Sequence, residues 1–503
     1  MGKLIGGALA VVAIVAVVVV GGASLSGGRI KDQLETAAAR LPAELPIVRL
    51  VSKSYERGLL SSTQTLTLEF GCPAAASAPA ATPAPGAAAA TPRPPVQLTV
   101  RHRIKHGPFP GFRGFGAAVI DSDLVVPEAS RRSVAELFGD QAPVSAQTRV
   151  AFSGAYDTRV TVPAFSYKMT NGDQIAWQGL QADVSASGWG PGAKLRYQMV
   201  VPGMNLAMKD ERATLDMKLS GLKAHGDMVV SNSLWLAAGH AEGEVETMSL
   251  DMKGHGDAAA AIPPMKMSFS ALKSTTDTSI DRDLLGMTMR MTGSGSVADA
   301  KLERLEMQAS MRRLHAPTYA ALLKDLMNPA VACAGKPADP QALLAQMTKN
   351  LAALLPYNPE YTLDTLGFEI DGKRGEMSYA IGVEGVTEAD LKQPMQAVLM
   401  SKAKASGQAR LPVAWIQKLM AGVGGERGAM AAQPEMMNAM LEQMAGQGFI
   451  VRDGEFVSSK FALAKGQVSV NGRALGAPPA GVPSEAAASA PPAPAEPAPP
   501  QKR

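Results

Sequence analysis

The central part of the chain alternates between apolar and polar residues. Between about residues 95 and 311, Leu and Met recur at every second position, as in residues 247–253 and 287–292. A period of two places the apolar side chains on one side of a β-strand and the polar ones on the other. The pattern therefore predicts antiparallel strands, each with one buried and one solvated side.

One strand provides a residue-by-residue expectation. Around Leu215 the apolar residues Leu215, Met217 and Leu219 alternate with Asp216 and Lys218. We expect the three apolar side chains to be buried and the two charged ones to be exposed.

The last third of the chain mixes helical and strand patterns. Leu and Met at spacings of three and four predict helices at residues 317–327, 340–355, 388–406, 412–422 and 434–445. Strands are predicted again at residues 361–370, 376–383 and 449–470. The predicted fold class is α+β and mainly β: an amino-terminal transmembrane helix, then a long, mostly antiparallel meandering sheet with helices inserted in the carboxy-terminal third.

The first residues predict a membrane anchor. The run from Leu4 to Leu25 is uncharged and apolar and follows a single Lys3. As a helix it would be about 33 Å long, enough to cross a hydrocarbon core of about 30 Å. The run is longer than the apolar region of a typical signal peptide, which favours an uncleaved anchor, although the small residues 21–26 leave cleavage open. The Lys and Arg residues beside the run do not decide its orientation.

Changes in composition divide the chain into six segments. Tracts rich in Ala and Pro cannot bury a core and predict disorder, and the remaining boundaries follow the changes of period. The segments are a membrane anchor (1–28), a juxtamembrane helix and first strand (29–72), a disordered insertion (73–95), an antiparallel β region (96–315), a mixed helix and strand region (316–475) and a disordered tail (476–503).

The charge and the cysteine content exclude few classes of binding partner. The net charge is +4 over 503 residues, and the basic residues are dispersed without interleaved aromatics, which argues against nucleic acid as a partner. The two cysteines, Cys72 and Cys333, could form one disulfide in an oxidising compartment or remain free thiols.

No local motif predicts catalysis, a metal or a cofactor. His102 and His106 are four residues apart, but residues 97–104 alternate as a strand, so the two rings would lie about 13 Å apart. We expect both histidines to be partly exposed. The glycines of residues 422–428 do not match a phosphate-binding pattern, and no strand precedes them. The sequence thus favours a protein that is not an enzyme.

Methionine is the residue that suggests binding. The chain has 27 methionines, and Met436, Met437, Met440 and Met444 stud one predicted helix. A flexible, polarizable thioether adapts to irregular apolar ligands, so these four residues are a candidate ligand or partner surface. The alternative is an ordinary core in which Met replaces Leu.

Three short phrases in this order resemble the YdgA-like bacterial envelope proteins, a family of unknown function. They occupy residues 54–62, 104–110 and 466–473, and they include Tyr55, Arg57, Gly58, His106, Gly107, Pro108, Asn471 and Gly472. The resemblance implies an inner-membrane anchor with a large periplasmic body, and it supplies no catalytic residues.

The same phrases also have structural interpretations. We expect residues 106–108 to end a strand, because Pro lacks the N–H that a ladder requires. Asn471 and Gly472 predict a type I′ hairpin turn. Residues 55–62 are expected to lead into the first strand, residues 63–70.

Two functions of different classes remain. The first is a non-enzymatic, inner-membrane-anchored periplasmic protein that binds a partner protein or an apolar or lipid ligand on an extended sheet, with self-association left open. The alternative is a cell-envelope hydrolase that uses dispersed carboxylates. An open apolar face would favour the lipid ligand, a closed sandwich a partner protein, and a polar cleft with two nearby carboxylates the hydrolase.

Overall fold

A computed structural model describes most of the chain between residues 45 and 475. The described residues are 45, 48–70, 96–169, 171–209, 212–233, 235–256, 264–298, 300–326, 349, 351–416 and 434–475. The predicted anchor, the juxtamembrane helix, the insertion at 73–95, the tail at 476–503 and both cysteines lie outside them. In the part of the chain that is described, no helix has the length and hydropathy needed to cross a membrane.

The described residues form one antiparallel sheet of 22 strands. In chain order the strands are β1 (Val48–Arg57), β2 (Ser61–Phe70), β3 (Val96–His106), β4 (Ala118–Val125), β5 (Ser145–Val150), β6 (Tyr156–Val162), β7 (Phe165–Lys168), β8 (Gln174–Trp177), β9 (Leu180–Ala186), β10 (Lys194–Lys209), β11 (Ala213–Val230), β12 (Ala237–Gly254), β13 (Met265–Asp281), β14 (Leu284–Val297), β15 (Ala300–His315), β16 (Glu360–Ile370), β17 (Lys373–Val383), β18 (Ala403–Pro412), β19 (Val451–Asp453), β20 (Phe456–Ala464), β21 (Gln467–Val470) and β22 (Arg473–Ala474).

The sheet is a meander, because nearly every strand pairs with the strands before and after it in the chain. β6 pairs with β9, and the β7–β8 hairpin lies beside β9, so that β8 and β9 both pair with β10. β18 pairs with β20, and β19 and β21 both pair with the other side of β20. The predicted long meandering sheet is confirmed, and it runs from β15 into β16 without interruption.

Four α-helices of eight or more residues are described: α1 (Glu128–Phe138), α2 (Ala316–Leu326), α3 (Met395–Lys402) and α4 (Pro434–Gly446). Short 3-10 helices occupy Pro110–Phe112, Leu355–Tyr357 and Asp390–Lys392. α2 and α4 confirm two predicted helices, whereas α1 was not predicted.

The predicted helix at residues 388–406 is wrong at both ends. The segment before α3 holds the 3-10 helix Asp390–Lys392, and α3 begins only at Met395. α3 ends at Lys402, and Ala403–Pro412 is strand β18, paired with β17 and β20. Ala, Lys, Gln and Arg favour helix by intrinsic propensity, but pairing on both sides overrides so weak a preference. The helix predicted from residue 412 begins just after the end of β18, and most of it lies outside the described residues, as does most of the helix predicted at 340–355.

The start of the sheet also differs from the expectation. The first strand is Val48–Arg57 rather than residues 63–70. Tyr55 and Arg57 belong to this strand, and Gly58 begins the turn into β2, where its N–H donates to the carbonyl oxygen of Ser61. The phrase at residues 54–62 is therefore a hairpin rather than a lead-in.

The main core lies on one side of strands β1 to β10. Leu68, Ile104, Ile120 and Val160 are completely buried there. A single layer leaves side chains partly exposed, so complete burial requires a second layer. One cluster joins Tyr55 of β1 to residues of β3–β6, β9 and β10, which indicates that this part of the sheet curls over its own apolar side.

Candidate functional site

The sheet has one apolar and one polar side, and the register aligns the apolar residues into rows across the strands. Leu206, Met217, Leu250, Met267 and Val297 are successive partners from β10 to β14. Directly paired residues in an antiparallel sheet point to the same side. The row is therefore a continuous line of apolar side chains perpendicular to the strands.

Further rows continue this side to the far end of the sheet. We call the apolar side of β11–β21 the open apolar face. Its central part contains Leu215, Met217, Leu219, Leu222, Val245, Met248, Leu250, Met252, Met265, Met267, Phe269 and Leu272. Its distal rows are Met287–Met311–Tyr361–Ile381–Ala405–Leu463–Val468 and Met289–Ala309–Leu363–Tyr379–Gly407–Phe461–Val470.

Near the middle of neighbouring strands, two successive apolar residues are three positions apart instead of two. Because this change of phase occurs at matching positions in the neighbouring strands, the apolar side stays continuous. Left-handed residues stand there at Gly179, Gly221 and Ala271. Trp177 and Leu222, from opposite sides of this change of phase, belong to one cluster. The pairs are Trp177 and Leu180, Val201 and Met204, Leu219 and Leu222, Val245 and Met248, and Phe269 and Leu272.

Burial separates the open apolar face from the core of β1–β10. Leu215, Met217 and Leu219 are only half-buried, while Asp216 and Lys218 are exposed. The predicted period is confirmed, but the prediction that the three apolar residues are buried is wrong, since each stays partly exposed. β11, β12 and β13 pack mainly against their neighbours within the sheet, so their apolar side chains are covered mostly by one another.

The distal rows are even more open. Ile381 is 50% exposed, Phe461 42% and Tyr361 39%, and Met377, on the same side of β17, is 36% exposed. Large apolar side chains in contiguous rows at this exposure are unusual for a soluble protein and mark an interaction surface.

Small packed clusters close the two strand ends of this face. At one end, α2 covers Leu285 and Leu314 through Ala316 and Ala320. At the other end, Trp415 packs on Ile370 and Leu302. Across β11 to β14 the open apolar face is about 14 Å wide, at about 4.8 Å per strand.

The methionines predicted as a candidate surface lie on α4. Met437 is completely buried and, with Leu441, packs against Val457 of β20. Met436 is 52% and Met440 38% exposed, and Met444 is half-buried. Only part of this set therefore faces outward. More than half of the 27 methionines lie instead on strands β10–β17, at Met199, Met204, Met208, Met217, Met228, Met248, Met252, Met265, Met267, Met287, Met289, Met291, Met307, Met311 and Met377.

The residues of two family-like phrases meet at one end of the first strands. The Nε2 atom of His106 lies 2.9 Å from the hydroxyl oxygen of Ser62, and the His106 N–H donates to the carbonyl oxygen of Leu60. Partial burial, and then the charge of Arg57, lower the pKa of His106. A side chain at Gly107 would overlap the carbonyl oxygen of Gly116, so this position requires glycine. β3 ends at His106, as predicted for residues 106–108, and Pro108 is exposed just beyond it.

The third phrase forms the predicted hairpin turn. Asn471 and Gly472 have φ values of 50° and 80°, as a type I′ turn requires, and they connect β21 to β22. The Asn471 side chain also donates to the carbonyl oxygen of Gly448 and accepts from the Lys460 N–H. These contacts give Asn471 a structural role.

The histidine expectations hold only in part. His106 is partly exposed, but His102 is completely buried, which corrects the prediction. Its Nδ1 lies 2.7 Å from the hydroxyl oxygen of Ser122, and its Nε2 is buried without a hydrogen-bond partner. The predicted alternation of residues 97–104 is correct. His102 is buried because it lies on the apolar side of this strand, together with Val100 and Ile104.

The register also assembles a polar cluster that no local spacing revealed. His240 on β12 lies 2.7 Å from Asp277 and 3.0 Å from Glu242, and His225 on β11 lies 3.3 Å from Glu242. The hydrogen bonds to Glu242 and Asp277 raise the pKa of His240. Across the described residues, no group of histidines and carboxylates has the arrangement of a metal site.

A polar cavity of about 970 Å³ lies on the polar side of β3–β10. Three of its four carboxylates, Asp121, Asp123 and Asp183, form ion pairs, and Asp157 accepts a hydrogen bond from Ser185. Burial opposes ionisation of Asp121, but the hydrogen bond from Gln147 and the charges of Arg113 and Lys105 hold its pKa below the ordinary value. Hydrogen bonds from Arg159 lower the pKa of Asp183 in the same way, against its burial. Carboxylates held ionised in this way do not supply the general acid that a hydrolase requires.

Comparison with known proteins identifies the family. The family described as bacterial protein of unknown function (DUF945) matches residues 1–477, so the chain belongs to this family. The resemblance to a bacterial family of unknown function is thereby confirmed. No curated protein and no solved structure shows significant similarity to the chain.

Proposed function

We propose that this protein is a non-enzymatic, membrane-tethered protein of the bacterial periplasm that binds the acyl chains of a lipid on its open apolar face. The observation that carries the proposal is the exposure of apolar rows on one side of the sheet, a central row across β10–β14 and distal rows across β14–β21. In the distal rows the Ile381 side chain is 50% exposed and the Phe461 side chain 42% exposed.

The composition of the face favours lipid over a protein partner. Protein interfaces draw specificity from Arg, Trp and hydrogen-bonding groups in a packed centre. Here the rows consist chiefly of Met, Leu, Ile and Val, and charged residues such as Asp216 and Lys218 point to the opposite side. The exceptions are the aromatic residues Tyr361, Tyr379 and Phe461 in the distal rows and the small polar residues Ser274, Thr276 and Thr278 of β13, which share this side with the methionines of β14. Flexible thioethers suit acyl chains, which vary in length and conformation.

Adjacent residues on opposite sides of one strand allow a matched test. Photo-crosslinking residues at Met267 and Ile381 are expected to capture lipid in cells, detected by mass spectrometry of the purified adducts. The same probe at Lys266 and Ala380, one residue away and on the polar side, is the control. Adducts with another protein or with a second copy, in place of lipid, would contradict the proposal.

The proposed tether has its own test. Replacing Val15 and Val18 by Arg should add about 5–7 kcal/mol to the free energy of membrane insertion, because each Arg costs about 2.5–3.5 kcal/mol at the centre of a span. We expect the unchanged protein in the membrane fraction with its amino terminus at Met1 or Gly2, and the variant released or retained before export. A mature amino terminus near Ser24 would show that the segment is a cleaved signal.

A further inference from the structure

Six large apolar side chains are exposed at turns that share one end of the sheet. They stand in the β1–β2, β3–β4 and β5–β6 connections, which lie at the same end because successive antiparallel strands reverse direction. Their exposed fractions are Leu59 95%, Leu60 75%, Phe109 62%, Phe112 98%, Phe115 74% and Phe152 55%.

Direct contacts join these turns into one surface, which we call the aromatic tip. The rings of Phe109 and Phe115 have centroids 5.6 Å apart, and those of Phe115 and Phe152 are 5.1 Å apart. The Leu60 carbonyl oxygen accepts from the His106 N–H, which connects the first two turns. The tip is therefore formed by three neighbouring turns rather than by one loose loop.

The tip projects outward instead of forming a groove. Phe112 has a φ of 58°, as does Gly111, and this left-handed pair turns the chain so that the Phe112 ring is 98% exposed. A groove would cover each apolar side chain in part. A convex set of aromatic and Leu side chains matches the way in which protein surfaces enter the interfacial layer of a bilayer.

Cations border the aromatic tip. Arg57 is exposed at the end of β1, and the Arg113 and Lys105 side chains flank Asp121. Arg149 near the end of β5 is a fourth cation, and Glu56, Asp121 and Asp157 are the three carboxylates at corresponding positions, so the cations outnumber them by one. Lipid phosphates would lie beside such cations when the rings enter the headgroup layer.

We propose that the aromatic tip inserts into the headgroup layer of a phospholipid bilayer. This proposal depends on the proposed tether only for which membrane the aromatic tip contacts. The chain between Leu25 and Val48 can reach at most about 75 Å, whereas β1 is about 33 Å long, so the tip can contact the membrane that holds the tether. The side chains of the tip are separate from the open apolar face.

Photo-crosslinking in a defined membrane tests the proposal. The full chain, reconstituted into phosphatidylcholine vesicles, carries a benzophenone amino acid in place of Phe112 or, as the control, in place of Asp140. Asp140 is exposed in the β4–β5 connection, at the opposite end of the strands. We expect at least ten-fold more lipid adduct from position 112 than from position 140.

A second comparison tests the role of the cations. Adding phosphatidylglycerol to the vesicles should raise the yield of adduct at position 112 several-fold, and Arg57→Gln with Arg113→Gln should remove this increase. Equal lipid adducts at both positions, adducts at position 140 alone, protein adducts alone or no adduct would each overturn the proposal. Lipid captured at position 112 but not at Met267 would support the aromatic tip and contradict lipid binding on the open apolar face.

Discussion

Replacing Trp415 with alanine is expected to lower the free energy of unfolding by about 3–5 kcal/mol, the range for truncating a large aromatic core residue. The Trp415 side chain is 1% exposed and stacks on Phe368 with ring centroids 4.1 Å apart. Its ring lies so close to Gly375 that a side chain there would collide with it. Urea denaturation followed by circular dichroism measures the change.

The matched comparison is Ile381→Ala on the open apolar face. Because Ile381 is 50% exposed, its truncation removes less buried surface, and we expect a loss of about 1 kcal/mol. Equal losses at Trp415 and Ile381 would mean that the open apolar face is covered in solution, and the proposed lipid site would then have to be abandoned.

Acid is expected to destabilise the protein through His102. Burial lowers the pKa of His102 to about 4, and the nearby Asp123 carboxylate only partly opposes this effect. Between pH 6.5 and 4 the unfolded chain binds a proton at this residue and the folded protein does not. The contribution of neutral His102 to the free energy of unfolding is therefore fully present above pH 6.5. It falls by about 3 kcal/mol as the pH drops to about 4.

The check is His102→Gln, which keeps a polar group beside Ser122 but does not titrate. Free energies of unfolding at pH 7 and pH 4.5 should differ by 2–3 kcal/mol less in the variant than in the unchanged protein, by the same linkage. An identical pH dependence in both proteins would show that His102 is not held neutral in the fold.

The sequence predicted the strands of the middle region well, because alternation is a local property. Around Met217 the phase of alternation was correct residue by residue. The hairpin at Asn471 and Gly472 was also correct, since a type I′ turn requires left-handed conformations that Asn and Gly adopt most easily. The first residues of β18, 403–406, were predicted as the end of a helix because strand pairing with distant segments leaves no local signal.

The candidate sites depend on contacts between residues that are far apart in the sequence. The methionines of α4 were chosen from helical spacing, but the sheet determines which of them are covered, and Met437 is buried. The aromatic tip was missed because Phe109 and Phe152 are far apart in the sequence and meet only through the meander. Its one available signal was the density of Phe between residues 109 and 115.

The sequence by itself determined the alternation of the strands, the apolar run from Leu4 to Leu25 and the family. These follow from hydrophobic periodicity and short phrases that are encoded locally. The tertiary structure alone decided how deeply each apolar side chain is buried. The apolar alternation of β3 and of β11 is similar, yet Ile104 is completely buried and Met217 only half-buried. The reason is that burial depends on whether the sheet curls over a strand, and that curvature is set by contacts among strands far apart in the chain.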